Sequence, residues 1–197
     1  MWRNSCDHWP SGAGKGNFCK RMQTYAAREI WIPADTTLVL LGIGMGSKET
    51  LTIQGNEAVE QADLIIGARR MADAVALPGQ DVFYEYRSAE IAEYIKKHPE
   101  YEKVVIALSG DVGFYSGAKG LLKALDGNAE IICGISSVVY FMSKIGLSWD
   151  DAKIVSAHGR VCNLVSLIRT NQKVFAILGT SDGTAHSCTE TDGLWNG

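Results

Sequence analysis

Three short turns hold the residues whose types and spacing could do chemistry: GIGMGS at 42–47, SGDVGFYSGAK at 109–119 and CGISSV at 133–138. Each follows an apolar run and is built from small residues, so the main chain can approach a ligand closely and present its amides and carbonyls. Asp111 adds a carboxylate suited to charge-assisted hydrogen bonds. The first turn raises the possibility of a dinucleotide cradle, which requires a third glycine three residues after the second and an acidic residue about 20 positions on. Ser47 occupies the third-glycine position, and the next apolar run ends on Ala68, Arg69 and Arg70, with Asp63 at its wrong end. Gly42, Gly44 and Gly46 therefore give GxGxG, and a nicotinamide-dependent oxidoreductase is disfavoured. A tight turn needs glycine with or without a ligand, so any one turn is weak; three in order at the ends of apolar runs are specific.

Turns of this kind need rigid elements behind them. The β-branched runs TLVLL, LIIG, VFYEY, KVVIALS and EIIC alternate with helical patterns over 55–62, 69–76, 88–98, 116–125 and 136–145. That order predicts an α/β fold with a mostly parallel sheet covered on both faces, whose ligands gather outside the carboxyl ends of the strands. AKIVSAH, a helix over 161–170 and KVFAIL repeat the alternation more weakly, and after Leu178 the periodicity dissolves. GLSWDD reads as a hinge. The expected organisation is an extension at 1–36, a first α/β lobe at 37–147, and a truncated second lobe at 148–197 with only two clear strands and an irregular tail.

Composition narrows the function classes. At 197 residues, 46% hydrophobic and 21% charged, the chain suits one domain or two small ones. A net charge of −3 supplies no basic field for nucleic acid. No apolar run nears the ~18 residues of a membrane span, so no membrane partner is expected. The five cysteines (Cys6, Cys19, Cys133, Cys162, Cys188) form an odd set with no CxxC pair, which fits a reducing cytoplasm and signals no metal ribbon. In PSGAGKGN, Trp9 stands five before Gly14 and Gly16 follows Lys15, so a P-loop fails twice. Cys6, His8 and Cys19 could be drawn as metal ligands, but an accessory extension is the expectation.

Taken together, GIGMG (42–46), GDVG (110–113), CGISS (133–137) and SAHGR (156–160) resemble the tetrapyrrole methylase family over about residues 37–178. The pairing of SGDVGFYSGAK with SAHGR is most similar to its C(5)-methylating members. The resemblance implies S-adenosylmethionine (SAM) lying folded between two α/β lobes. By motif match it implies Gly42, Gly44, Met45, Gly110, Asp111, Phe114, Ser136, Ser137 and Val138 at the cofactor, and Asp111 and His158 as catalytic positions. The acceptor implied is a cobalt-precorrin of cobalamin biosynthesis, an anionic macrocycle whose carboxylate arms call for basic residues. Arg87, His158 and Arg160 are the candidates, with Arg69 and Arg70 as weaker ones. Simpler roles stay open: Asp111 as a helix cap, Ser136 and Ser137 as ordinary N-cap types, His158 as a structural histidine.

The sequence departs from the family pattern where Met45, Val112 and Cys133 replace prolines, and where LGTSDGTAH stands in place of a glycine- and aspartate-rich turn. The decarboxylating C(15)-methyltransferase often fused downstream is expected on a separate chain, and a homodimer is expected. The alternative is a catalytically silent member that only binds or dimerises.

Overall fold

The computed structural model describes residues 36–157 and 163–179. Five short strands, β1 (Thr37–Gly42), β2 (Leu64–Gly67), β3 (Asp81–Tyr84), β4 (Lys103–Leu108) and β5 (Glu130–Ile132), form one sheet in the order β3-β2-β4-β1-β5. Every pairing is parallel, and β1 runs in register with β4 from Thr37 opposite Lys103 to Gly42 opposite Leu108. Side chains alternate across a strand, so one apolar run can feed two cores. Leu38 and Leu40 face one side with Leu64, Ile66, Val104 and Ile106. Val39 and Leu41 face the other with Ile65 and Val105.

Helices cover both faces. α3 (Ser88–Lys97) and α4 (Ala118–Ala124) close the first side through Ile91, Ile95 and Leu121. α1 (Ile53–Glu60) and α2 (Arg69–Val75) close the second through Val59, Ala72 and Val75. α1 is capped by the Thr52 hydroxyl, which accepts from the Gly55 amide at 3.0 Å. α5 (Ser137–Lys144) follows β5 and buries Val138 and Met142. Burying one such aliphatic side chain stabilises by about 1.5–3 kcal/mol, and the fully enclosed Leu40, Leu41, Ile65 and Ile66 sit at that limit.

A second, two-stranded parallel sheet pairs β6 (Lys153–Ser156) with β7 (Val174–Ile177), connected through α6 (Leu164–Thr170). Phe175 of β7 lies 5.9 Å from Phe141 of α5, ring to ring, and Lys173 holds Asp151 at 2.5 Å. The predicted strands and helices are present with ends shifted by a few residues. A 3-10 turn at Lys48–Thr50, inside the apparent loop after GIGMGS, is additional. Residues 1–35, including Cys6, His8 and Cys19, lie outside the described residues, as does the segment after Gly179.

Candidate functional site

Strand order decides where the three turns go. β4, β1 and β5 are neighbours, so the turns at their carboxyl ends emerge side by side. Gly44 donates its amide to the Gly110 carbonyl at 3.1 Å, and Gly110 donates back to Gly44 at 2.9 Å. That reciprocal pair welds the first turn to the second. A Cβ on Gly42 would stand 2.6 Å from the Gly134 nitrogen and 2.7 Å from the Gly110 oxygen, a space closed by backbone on both sides. Glycine is required there for close packing, whereas Gly44 (φ +61°), Gly46 (φ +83°) and Gly110 (φ +69°) also need the left-handed conformation.

Asp111 fastens the second turn to the third. Its Oδ1 accepts the Gly113 amide at 2.9 Å and its Oδ2 accepts the Gly134 amide at 3.2 Å. Both oxygens thus bond main-chain donors of loops and neither caps α4, so the simple helix-cap role does not apply. The open side of Gly110 looks toward Ser136 and Ser137, whose Cα and nitrogen would lie 4.0 and 3.9 Å from a Cβ built there. Ser136 precedes α5 without a side-chain cap bond, and Ser137 opens the helix. Phe114 meets Tyr115 edge-on at 5.1 Å and Phe175 at 6.5 Å.

A residue that sequence reasoning missed anchors the first turn. The buried Thr50 hydroxyl accepts from the Met45 amide at 3.1 Å and the Ser47 amide at 3.4 Å, and donates to the Ser47 carbonyl at 2.9 Å. One donor and two acceptor sites are all used. The only signal was a threonine four residues past the last glycine of the motif.

The structure therefore places Gly42, Gly44, Met45, Gly110, Asp111, Phe114 and Ser136 on three adjacent turns, with Ser137 and Val138 in the first turn of α5, where Val138 is buried. It does not bring Arg87 there. Arg87 follows β3, three strand spacings from β1 and so about 14 Å across the sheet. Its guanidinium grips Glu85 at 2.8 Å and reaches Glu90 at 3.7 Å. The Arg87 side chain, helped by the amides of Arg87 and Tyr86, draws the Glu85 carboxyl down to about 2. Arg69 spends its charge on the Tyr84 ring, 4.2 Å away. His158 and Arg160 lie outside the described residues.

A depression of about 220 Å³ lined by Thr37, Gln54, Gln61, Lys103 and Glu130 opens at the opposite, amino ends of β1, β4 and β5. None of the motif residues borders it, so the glycine turns, and not this hollow, form the candidate site.

A parallel α/β sheet with three welded small-residue turns at the carboxyl ends of adjacent strands defines a loop-built ligand site of the kind such sheets carry. The chain belongs to the family of tetrapyrrole (corrin/porphyrin) methylases, whose profile matches residues 37–181. It is 32% identical over 145 residues to a probable cobalt-precorrin-7 C(5)-methyltransferase of Methanocaldococcus jannaschii, covering 70% of this chain and 69% of that protein. It is 30% identical over 133 residues to the cobalt-precorrin-7 C(5)-methyltransferase of Salmonella typhimurium, covering 66% and 65%. The uroporphyrin-III C-methyl transferase of Thermus thermophilus, solved with S-adenosyl homocysteine, shares the fold with a TM-score of 0.51 at 22% identity, covering 65% of this chain and 64% of that one. The chain spans about two thirds of the length of these relatives.

Proposed function

We propose that the chain is a SAM-dependent C-methyltransferase of cobalamin biosynthesis, acting at C5 of a cobalt-precorrin. The observation that carries the reading is the meeting of Gly44, Gly110, Asp111 and Gly134 in one hydrogen-bonded cluster beside the start of α5. Family membership supports methylation, and similarity to two C(5)-methyltransferases supports the C5 position.

The residues present fit SAM. The hydroxyls of Ser136 and Ser137 make no hydrogen bond among the described residues, and the first amides of α5 point out of the helix unpaired. Phe114 offers an apolar ring, and the Asp111 oxygens keep free lone pairs beside their amide partners. When bound, SAM supplies an electrophilic methyl group on a sulfonium.

The chain's part in an in-line displacement is to hold donor and acceptor in register and to exclude water, which can be worth about 7–11 kcal/mol of barrier. Asp111 acts as a positioning residue that fixes two turns at once. Arg160 and His158 are proposed to receive the acceptor's carboxylates. In this proposal the two sheets serve as the two lobes, with the donor lying between the turns and the second sheet. The chain is proposed to work as a homodimer in the cytoplasm, with C15 chemistry on a separate chain.

The second sheet, two-stranded among the described residues, favours one other reading, a member that binds donor without transferring methyl, because two strands bury little core of their own. Calorimetry with SAM and S-adenosyl homocysteine separates the outcomes. Binding with turnover of cobalt-precorrin-7 supports the enzyme, binding without turnover supports the silent member, and no binding at millimolar ligand ends both.

A further inference from the structure

Two non-glycine residues among those described have φ in the left-handed region, Asp126 and Tyr115, each at +50°. Aspartate visits that region readily, but an aromatic residue there is an outlier that must be held in place. Tyr115 lies in the turn after β4, four residues past Asp111, and its residue is 51% exposed. Its ring touches Phe114 edge-on, and its hydroxyl has no hydrogen-bond partner among the described residues. Phe114 leads on to Phe175 of the second sheet, so Tyr115 stands where the welded turns approach β7. Nothing local repays the unfavourable backbone: glycine or asparagine would satisfy the same φ without exposing a phenol. Residues kept in such conformations cluster at ligand clamps.

We infer that Tyr115 is an acceptor-contact residue, whose ring packs on the corrinoid macrocycle and whose hydroxyl donates to one of its carboxylate arms. A ring with an apolar body and a polar tip matches a flat, anionic macrocycle. The inference rests on the methyltransferase reading, and the donor plays no part in the contact.

The test titrates the full chain and its Tyr115→Asn and Tyr115→Phe variants with cobalt-precorrin-7, in the presence of S-adenosyl homocysteine, following the corrinoid absorbance. Calorimetry of S-adenosyl homocysteine and thermal melts run alongside. Y115N, which suits the left-handed backbone, is expected to keep its melting temperature and its donor affinity within about twofold while acceptor affinity falls at least tenfold. Y115F, which keeps the ring, is expected to recover most of that loss. Unchanged acceptor affinity in Y115N overturns the inference, as does an equal loss of donor affinity or a lowered melting temperature, either of which marks a structural role. If the unaltered chain binds no S-adenosyl homocysteine, the methyltransferase reading itself falls and takes the inference with it.

Discussion

Gly134 and Gly117 show how differently two glycines in this site behave. A Cβ on Gly134 would collide with the carbonyls of Gly110 and Gly42, both main-chain atoms of other turns, whereas one on Gly117 meets nothing within 4 Å. Gly134→Ala should therefore cost about 3 kcal/mol or more by forcing the turns apart, and Gly117→Ala less than about 1 kcal/mol in either direction. Urea unfolding of the two variants checks the contrast, and equal costs would refute the welded-turn geometry. Gly42, Gly110 and Gly134 were legible as motif residues, but that they touch one another follows from strand order, which no local pattern encodes. Arg87 shows the converse: its type suggested an anion site, and its commitment to Glu85 two residues back was invisible because the irregular link between β3 and α3, not a helix, brings them together. With its folded pKa lowered to about 2 from an ordinary 4.5, Glu85 contributes stability that is complete above pH 4.5 and lost as pH falls toward 2. Arg87→Ala should raise the Glu85 titration, followed by carboxyl carbon NMR, part of the way toward 4.5, because the Arg87 and Tyr86 amides still donate to the carboxylate.

At the scale of elements, the apolar period located the strands and all six described α-helices because burial of an apolar face demands it. The 3-10 turn at Lys48–Thr50 escaped because its function is local hydrogen bonding, which leaves no periodicity. That turn carries the hydroxyl holding Met45 and Ser47 in the first glycine loop. Thr50→Val keeps the shape and removes the acceptor, leaving the part-buried Met45 and Ser47 amides without it at a cost of about 1 kcal/mol. The loop then loses its fixed path, so affinity for S-adenosyl homocysteine should fall about tenfold, equivalent to about 1.4 kcal/mol. Thr50→Ser, with the hydroxyl restored, should return both quantities toward the parent values. Destabilisation with undiminished donor affinity would separate Thr50 from the site.

Across the whole molecule, the two sheets differ in how firmly they are held. The core of β1 and β4 is enclosed on both faces, while β6 and β7 are half-buried and, among the described residues, pair only with each other. A lone pair of strands is marginal in water, so the second sheet depends on its contact with α5 and the β4 turn through Phe175. Native-state hydrogen exchange should show β6 and β7 opening well below the global unfolding free energy, with β1 and β4 the slowest. A donor bound only to the folded chain stabilises it by about 2.7 kcal/mol at a hundredfold excess over Kd. If the donor spans turns and second sheet as proposed, saturating S-adenosyl homocysteine should slow exchange in β6 and β7 along with residues 42–47, 109–119 and 133–138. Phe175→Ala should abolish the protection of β6 and β7 while leaving that of the turns in place. Protection confined to the turns in the unaltered chain would mean that the donor is held by the first sheet alone, and that the second sheet takes no part in its site.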